Sequence, residues 1–247
     1  MRLTRAFVKI ELTPNDRIEL PADTASHFVK VLRARPGDEL ILFNGDGNEH
    51  LGAIESIRGS RVTVSIAQAR AVNRESPLQT VLVQAIPRGD RMDFVVQKAT
   101  ELGVSRIVPV LSARSVVRLN ERQYESKLQH WRGVAISACE QCGRNRVPQI
   151  DAPLELIDHL GTDCGIPLRL ALDPDSAPRE PVNGAPASVE VTVGPEGGFS
   201  PQELDAMRIA GLSGIRLGPR ILRTETAALV ALTWLQTRYG DMNPNTP

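Results

Sequence analysis

Gly194-Pro195-Glu196-Gly197-Gly198-Phe199 has the residue types that receive a small molecule on main-chain groups. Its adjacent glycines let the backbone turn through positive φ and let another molecule approach the main chain closely. A second stretch, Leu217-Gly218-Pro219-Arg220-Ile221-Leu222-Arg223-Thr224-Glu225-Thr226-Ala227, repeats the plan with a Gly-Pro pair, two arginines and a glutamate. Each stretch alone is equally compatible with a tight strand-to-helix turn that binds nothing. Two of them close together favour a shared ligand.

The elements around these stretches decide how they are presented. Val189-Glu190-Val191-Thr192-Val193 alternates and is β-branched, which predicts a strand. Ser200-Pro201-Gln202-Glu203 offers an N-cap, a proline at the first helical position and a capping-box glutamate. Ile215–Leu217 reads as a second strand, and the helix through Ala228-Leu229-Val230-Ala231-Leu232-Thr233-Trp234-Leu235 is apolar nearly all round, hence predicted to be buried. In open α/β sheets the carboxyl ends of neighbouring strands form the ligand crevice. One cofactor held by both loops is the economical reading, with free amides and a helix's positive end facing it.

The rest of the chain divides in two. Up to about Arg70 the pattern is of short strands: Ala6–Leu12, Arg17–Leu20, Glu39–Phe43, His50–Ile57 and Arg61–Ala67. Asn44-Gly45-Asp46-Gly47 is a turn signal between two of them. One helix, with Ala25, Phe28, Val29 and Leu32 on a face, interrupts the series. A small β-barrel with an inserted helix follows. After a linker near Val72–Pro77, strands at Gln79–Ile86, Arg106–Leu111 and Leu168–Leu172 alternate with helices at Arg91–Leu102 and about Glu121–Gln141. That alternation predicts a mainly parallel sheet covered by helices. The expected domains are 1–72 and 73–247.

Composition narrows the function class. Apolar runs are too short to span a membrane, and charges interrupt the N-terminal residues where a signal peptide would need an apolar stretch. Three cysteines, an odd number, suit a reducing compartment, so a cytoplasmic protein is expected. Net charge is zero but unevenly spread: residues 84–149 hold 11 Lys/Arg against 6 Asp/Glu, whereas residues 150–206 hold 2 against 11. A basic face for a polyanion is one reading; chance clustering on a solvated surface is the other. Cys139 and Cys142 have metal or redox spacing, yet no second pair or nearby histidine accompanies them, so no metal is expected. His27, His50, His130 and His159 are scattered and share no motif.

The order of five blocks resembles one family, the RsmE-type methyltransferases of the SPOUT, or α/β-knot, superfamily. These enzymes methylate N3 of a uridine in 16S ribosomal RNA. The blocks are the two glycine loops, Lys98-Ala99-Thr100-Glu101-Leu102-Gly103-Val104, Glu140-Gln141-Cys142-Gly143-Arg144, and Val31-Leu32-Arg33 followed by Phe43-Asn44-Gly45. The resemblance runs from Arg5 to about Tyr239; Asp175–Ala187 and the residues after Tyr239 match nothing.

The resemblance implies an α/β SPOUT domain with a deep trefoil knot, a PUA-like N-terminal β-barrel, and a homodimer with the C-terminal helix in its interface. It implies S-adenosylmethionine as cofactor, contacted by Leu172, Gly194, Pro195, Glu196, Gly197, Gly198, Phe199, Leu217, Gly218, Ile221, Leu222 and Arg223. Arg223, Glu196 and Glu225 are the candidates for catalysis, and Arg5, Arg33, Arg88, Arg91, Arg114 and Arg144 for contact with 16S rRNA, within an assembled small subunit. A uracil N3 becomes nucleophilic only when its proton leaves, so the site needs a proton acceptor, a carboxylate or a water, and donors for the developing anion. Arginine suits the second task. The first-turn position of Glu225 equally suits a helix-dipole role. Two alternatives stay open: another SPOUT activity, on a ribose 2′-oxygen or a transfer RNA guanine, and a non-catalytic RNA-binding protein.

Overall fold

The computed structural model describes residues 3–115, 121–162, 165–177, 184 and 186–243. The chain forms two compact units, Met1–Glu75 with Cys139–Val147, and Ser76–Ala138 with Pro148–Pro247. Pattern alone places a boundary at 72/73 and does not signal the excursion at 139–147.

The first unit contains β1 (Thr4–Phe7), β2 (Arg17–Glu19), α1 (Ala22–Lys30), β3 (Glu39–Phe43), β4 (Asn48–Arg58) and β5 (Arg61–Ala71). These strands form one sheet in the order β1-β3-β4-β5-β2, with β1 parallel to β3 and the other pairs antiparallel. Ala25 and Phe28 of α1 join Leu40, Leu42, Ile54, Val62, Val64 and Ile66 in its core. The Asn44–Gly47 turn is held by side-chain oxygens: Asp46 N donates to Asn44 Oδ1 at 3.1 Å and Asn48 N to Asp46 Oδ1 at 2.7 Å.

Strand limits differ from the pattern where pairing, not alternation, decides them. β1 stops at Phe7 because its partner β3 stops at Phe43, although Val8 and Leu12 beyond it are still buried. β5 runs on to Ala71 because Asn48 of β4 pairs with it there, through residues whose exposure hides them from a periodicity search.

Arg5 and Arg144 are not at the surface, which corrects their reading as RNA contacts. Both are buried in the first unit. Arg5 Nη1 donates to Glu49 Oε1 at 2.6 Å, while its Nη2 donates to Asn145 Oδ1 at 2.6 Å and to the Arg144 carbonyl at 3.1 Å. Arg144 Nε donates to both carboxylate oxygens of Glu75, at 3.2 and 3.1 Å. Guanidiniums committed to ion pairs inside a unit do not face outward to meet phosphate. Cys139 is also buried there, and burial pushes its thiol up to about 12, so it stays protonated and unreactive.

The second unit holds β6 (Gln79–Ala85), α2 (Arg91–Glu101), β7 (Arg106–Leu111), most of α3 (Glu121–Cys142), β8 (Gln149–Ile150), β9 (Leu154–Glu155) and α4 (Leu156–Leu160). It continues with β10 (Leu168–Leu172), β11 (Ser188–Val193), α5 (Pro201–Ile209), β12 (Ser213–Ile215) and α6 (Thr224–Tyr239). The sheet order is β12-β10-β11-β6-β7-β8, with β9 on β7, and every pair is parallel. Parallel strands turn all their carboxyl ends to one edge, and the glycine loops leave from that edge. β8, β9 and α4 are too short for a periodicity to reveal.

The central strands are largely apolar, with a few buried polar residues of which Glu190 is the one acid. Glu190 of β11 is fully buried, paired with Arg169 Nε at 2.9 Å and His159 Nε2 at 3.0 Å. Burial alone would raise its pKa, but the hydrogen bond and charge of His159, with Arg169, hold it below the usual carboxylate range. A depressed folded-state pKa contributes stability above the unfolded carboxylate range, and this is lost as pH falls through the folded value. Glu190→Gln is therefore expected to cost about 2–3 kcal/mol at neutral pH, the worth of charge-assisted hydrogen bonds. In urea denaturation the gap between variant and parent should narrow as pH is lowered. A constant gap would show that the charge contributes nothing.

Among the described residues no helix is long and apolar enough to cross a membrane. The apolar surround of α6 predicts that it is covered on every side. Ala228, Ala231, Leu232 and Leu235 are buried, but Val230 is 39% exposed on the opposite side of the helix.

Candidate active site

The carboxyl ends of β10, β11 and β12 surround a cavity of about 620 Å3. Leu172 and Asp173 end β10, Val193–Phe199 follow β11, and Ile215–Leu217 with Arg220–Thr224 follow β12. Arg91, after β6, and Arg114, after β7, complete its wall. That volume lies within the usual range for small-molecule sites, about 300–1,000 Å3.

The loop after β11 is shaped by local chemistry. Gly198 has φ +67°, a value that glycine alone adopts at little cost, and its N–H closes a turn on the Pro195 carbonyl at 2.9 Å. α5 then begins at the expected capping box: Glu203 N donates to Ser200 Oγ at 3.2 Å and Ser200 N to Glu203 Oε2 at 2.8 Å. The other oxygen of Glu203 accepts the Ala113 N–H at 2.8 Å, which binds the loop after β7 to this helix start. Arg114 Nη1 adds a bond to the Gly197 carbonyl at 3.0 Å. A Cβ on Gly197 would lie 3.3 Å from Arg114 Cβ, tighter than an ordinary contact, so the Arg114 side chain fills the space a larger residue would need.

Glu196 and Arg91 form the cavity's principal ion pair, at 2.7 Å, and the Arg88 N–H donates to the same carboxylate oxygen at 3.1 Å. Burial would raise the Glu196 pKa, but main-chain amides, its own and that of Arg88, with the Arg91 guanidinium, keep it below the ordinary range. Glu225 lies 3.9 Å from Arg91 Nε but does not line the cavity. Arg223 does line it, and is exposed.

Of the residues expected to touch the cofactor, Leu172, Gly194–Phe199, Leu217, Ile221, Leu222 and Arg223 line this one cavity; Gly218 does not, and supplies instead the positive φ of +75° that turns its loop. Asp173, Asp175, Arg216, Arg220 and Thr224 line it too, although sequence reasoning missed them. Position was their signal, since Asp173 and Asp175 follow a strand end directly and Arg216 and Arg220 flank Gly218-Pro219. Of the RNA candidates, Arg91 and Arg114 stand at the cavity, Arg88 is exposed beside Glu196, and Arg33 is exposed in the first unit. Among the described residues no group of three or more His, Cys, Asp or Glu could hold a metal ion.

Residues 74–236 match the family model described as an RNA methyltransferase domain, and residues 20–67 the RNA methyltransferase PUA domain. The ribosomal RNA small subunit methyltransferase E of Buchnera aphidicola is 33% identical over 98% of this chain and 99% of its own length. The chain belongs to the ribosomal RNA small subunit methyltransferase E family. Solved structures agree. A Legionella pneumophila protein in complex with the bound cofactor SAM superimposes with a TM-score of 0.95 at 40% identity, covering 98% of this chain and 100% of that one. The Neisseria gonorrhoeae ribosomal RNA small subunit methyltransferase E bound to S-adenosyl methionine gives 0.91 at 34% identity, with coverage of 98% and 100%. The fold class is thus the expected one, a SPOUT-type α/β domain with a small PUA-like unit.

Proposed function

We propose that this chain binds S-adenosylmethionine in the cavity at the ends of β10, β11 and β12, and methylates N3 of a uridine in 16S ribosomal RNA. The observation that carries the reading is the convergence of three loops from neighbouring parallel strands on one 620 Å3 space rimmed by Arg91, Arg114, Arg220 and Arg223. The family's relatives bear the small-subunit name, and two similar structures hold the cofactor.

The cavity fits such a cofactor. Leu172, Phe199, Leu217 and Leu222 offer apolar walls for a flat ring, and Gly194, Gly197 and Gly198 in the lining leave main-chain groups rather than side chains to meet it. When bound, the cofactor supplies a methyl group on a positive sulfonium. The chain's residues do the remainder. Arg91, fixed by Glu196, and Arg223 stand where a uracil ring at the mouth would develop negative charge, and pre-set donors stabilise that charge without reorganising. Glu196, held ionised by its amides and by Arg91, is a weak base; its part is to fix Arg91. Glu225 lies off the cavity, so the acceptors at hand for the N3 proton are water and the cavity's own Asp173 and Asp175.

Glu196→Gln should accordingly lower the turnover number by about tenfold, the scale of one charge-assisted hydrogen bond removed from a positioning group. The pH profile of methylation should keep its shape. A profile that loses a limb in the variant would make Glu196 the base.

RNA recognition by the exposed arginines, a homodimer with α6 in the interface, the knot and a cytoplasmic location belong to the same proposal. The open apolar side of α6 at Val230 supports the dimer. The test of the activity is mass spectrometry of nucleosides from small-subunit particles incubated with the protein and methyl-labelled S-adenosylmethionine. Labelled 3-methyluridine is expected. Label on a ribose or a guanine, or none, would overturn the reading.

A further inference from the structure

We propose that Gln84 is a positioning residue for the cofactor site, acting through the Thr224 hydroxyl on the loop that begins at Gly194. The inference rests on the cofactor reading above and deepens it.

Gln84 lies near the end of β6, in register with Val193 of β11, and is fully buried. It does not line the cavity. Its Nε2 donates at 2.9 Å to the Ala85 carbonyl and at 2.9 Å to Thr224 Oγ1. The amide cannot be turned the other way, because two acceptor oxygens would then face each other at Ala85. The hydroxyl of Thr224, having accepted, donates its own proton to the Gly194 carbonyl at 2.6 Å. Every donor and acceptor in this chain of bonds is therefore fixed in direction.

The chain joins three elements that have no covalent reason to stay in register. β6 supplies Gln84, the first turn of α6 supplies Thr224, and the loop after β11 supplies Gly194. The Gly194 peptide is pressed from another direction by the Phe199 ring, which a Cβ at Gly194 would meet at 3.2 Å. Pro195 next to it disfavours the helical region for Gly194. With its carbonyl held by Thr224, the start of the loop has one orientation, and Pro195 to Phe199 inherit it.

Two further features separate this arrangement from ordinary core packing. The Thr224 hydroxyl, at the first position of α6 after an N-cap arginine that has no side-chain acceptor, donates to the loop and not to a carbonyl of its own helix. Gln84 Oε1 is buried with no hydrogen-bond partner, a cost that an apolar residue of the same length would avoid. The glutamine is held for its nitrogen.

The test uses the full-length protein with Gln84→Met, Thr224→Val, Thr224→Ser and the Gln84→Met/Thr224→Val double variant. S-adenosylmethionine affinity is measured by calorimetry, and amide hydrogen exchange of residues 194–199 is followed without ligand. Gln84→Met and Thr224→Val should each weaken binding about tenfold, the equivalent of one buried hydrogen bond. Both should speed exchange in the loop, Thr224→Ser should restore both readouts, and the double variant should be no worse than Thr224→Val. If Gln84→Met binds and exchanges as the parent does, the proposal is overturned, and Thr224 acts on the ligand directly or not at all. Should Gln84→Met fold poorly, Gln84→Leu, which likewise removes the donor without burying a charge, decides in the same way. A parent that binds no S-adenosylmethionine would instead refute the cofactor reading, while the ligand-free exchange would still report on the bond chain.

Discussion

Gly197→Val is expected to abolish cofactor binding while the protein stays folded. The Cβ alone would come within 3.3 Å of Arg114 Cβ, tighter than ordinary contact, and the two further methyl groups must displace either Arg114 or whatever approaches the loop. Arg114 is tied to the Gly197 carbonyl, so its displacement also frees the loop. Gly197 is exposed, which spares the core. With ligand at a hundred times its dissociation constant, the parent gains about 2.7 kcal/mol by mass action. For a domain of this size that raises the melting temperature by roughly 5–10 °C. The variant should melt within about 1–2 °C of the ligand-free parent and show no ligand-induced rise, which corresponds to at least a hundredfold loss of affinity. A thermal shift equal to the parent's would mean that the Gly194–Phe199 loop does not approach the ligand.

The site was legible in the sequence to the extent that local chemistry builds it. Ser200-Pro201-Gln202-Glu203 folds as the capping box its residue types specify, and Gly198 takes the positive φ that its neighbour pair suggested. The strand entering the first loop was readable because a buried parallel strand has few polar positions to confuse the pattern; the strand entering the second lies at Ser213–Ile215, two residues before the expected Ile215–Leu217, and the parallel sheet brings both loops to one edge. What the residues alone concealed depends on partners far away in sequence. Arg5 and Arg33 are the same residue type, yet one is buried against Glu49 and the other is exposed. No local signal separates them, because the partner lies 44 residues on. Glu225 sits between Thr224, which faces the cavity, and Thr226, and one step around the helix removes it from the wall. Gln84 reads as an anonymous polar residue in a strand; only the docking of α6 gives its amide a function.

The second large effect is expected in the first unit, at Glu49. This carboxylate is 1% exposed and meets three guanidiniums: Arg5 and Arg74 at 2.6 Å on one oxygen, and Arg70 at 3.1 Å on the other. Burial acts to raise its pKa, but the hydrogen bonds from Arg74, Arg70 and Arg5 outweigh it and keep the group ionised. Arg70 and Arg74 are half-exposed and can turn to water when their partner goes; Arg5, with its side chain 3% exposed, cannot. Glu49→Ala thus leaves a buried cation without its carboxylate, a change that costs about 3–5 kcal/mol in comparable cases. The loss should reach the 139–147 segment, since Arg5 also holds Asn145 and the Arg144 carbonyl. For this reason removal of residues 1–72 would be a poor test of RNA recognition: it strips the partners of 139–147 as well as any RNA contacts. Calorimetry should show a fall in melting temperature of roughly 6–20 °C, with faster exchange at amides 139–147. Replacing both partners, Arg5→Met with Glu49→Leu, should recover only part of the loss: no buried charge is left unpaired, but Asn145 and the Arg144 carbonyl still lose their donor. If Glu49→Ala melts like the parent, Arg5 has found water, and the cluster is a surface feature rather than the anchor of the segment.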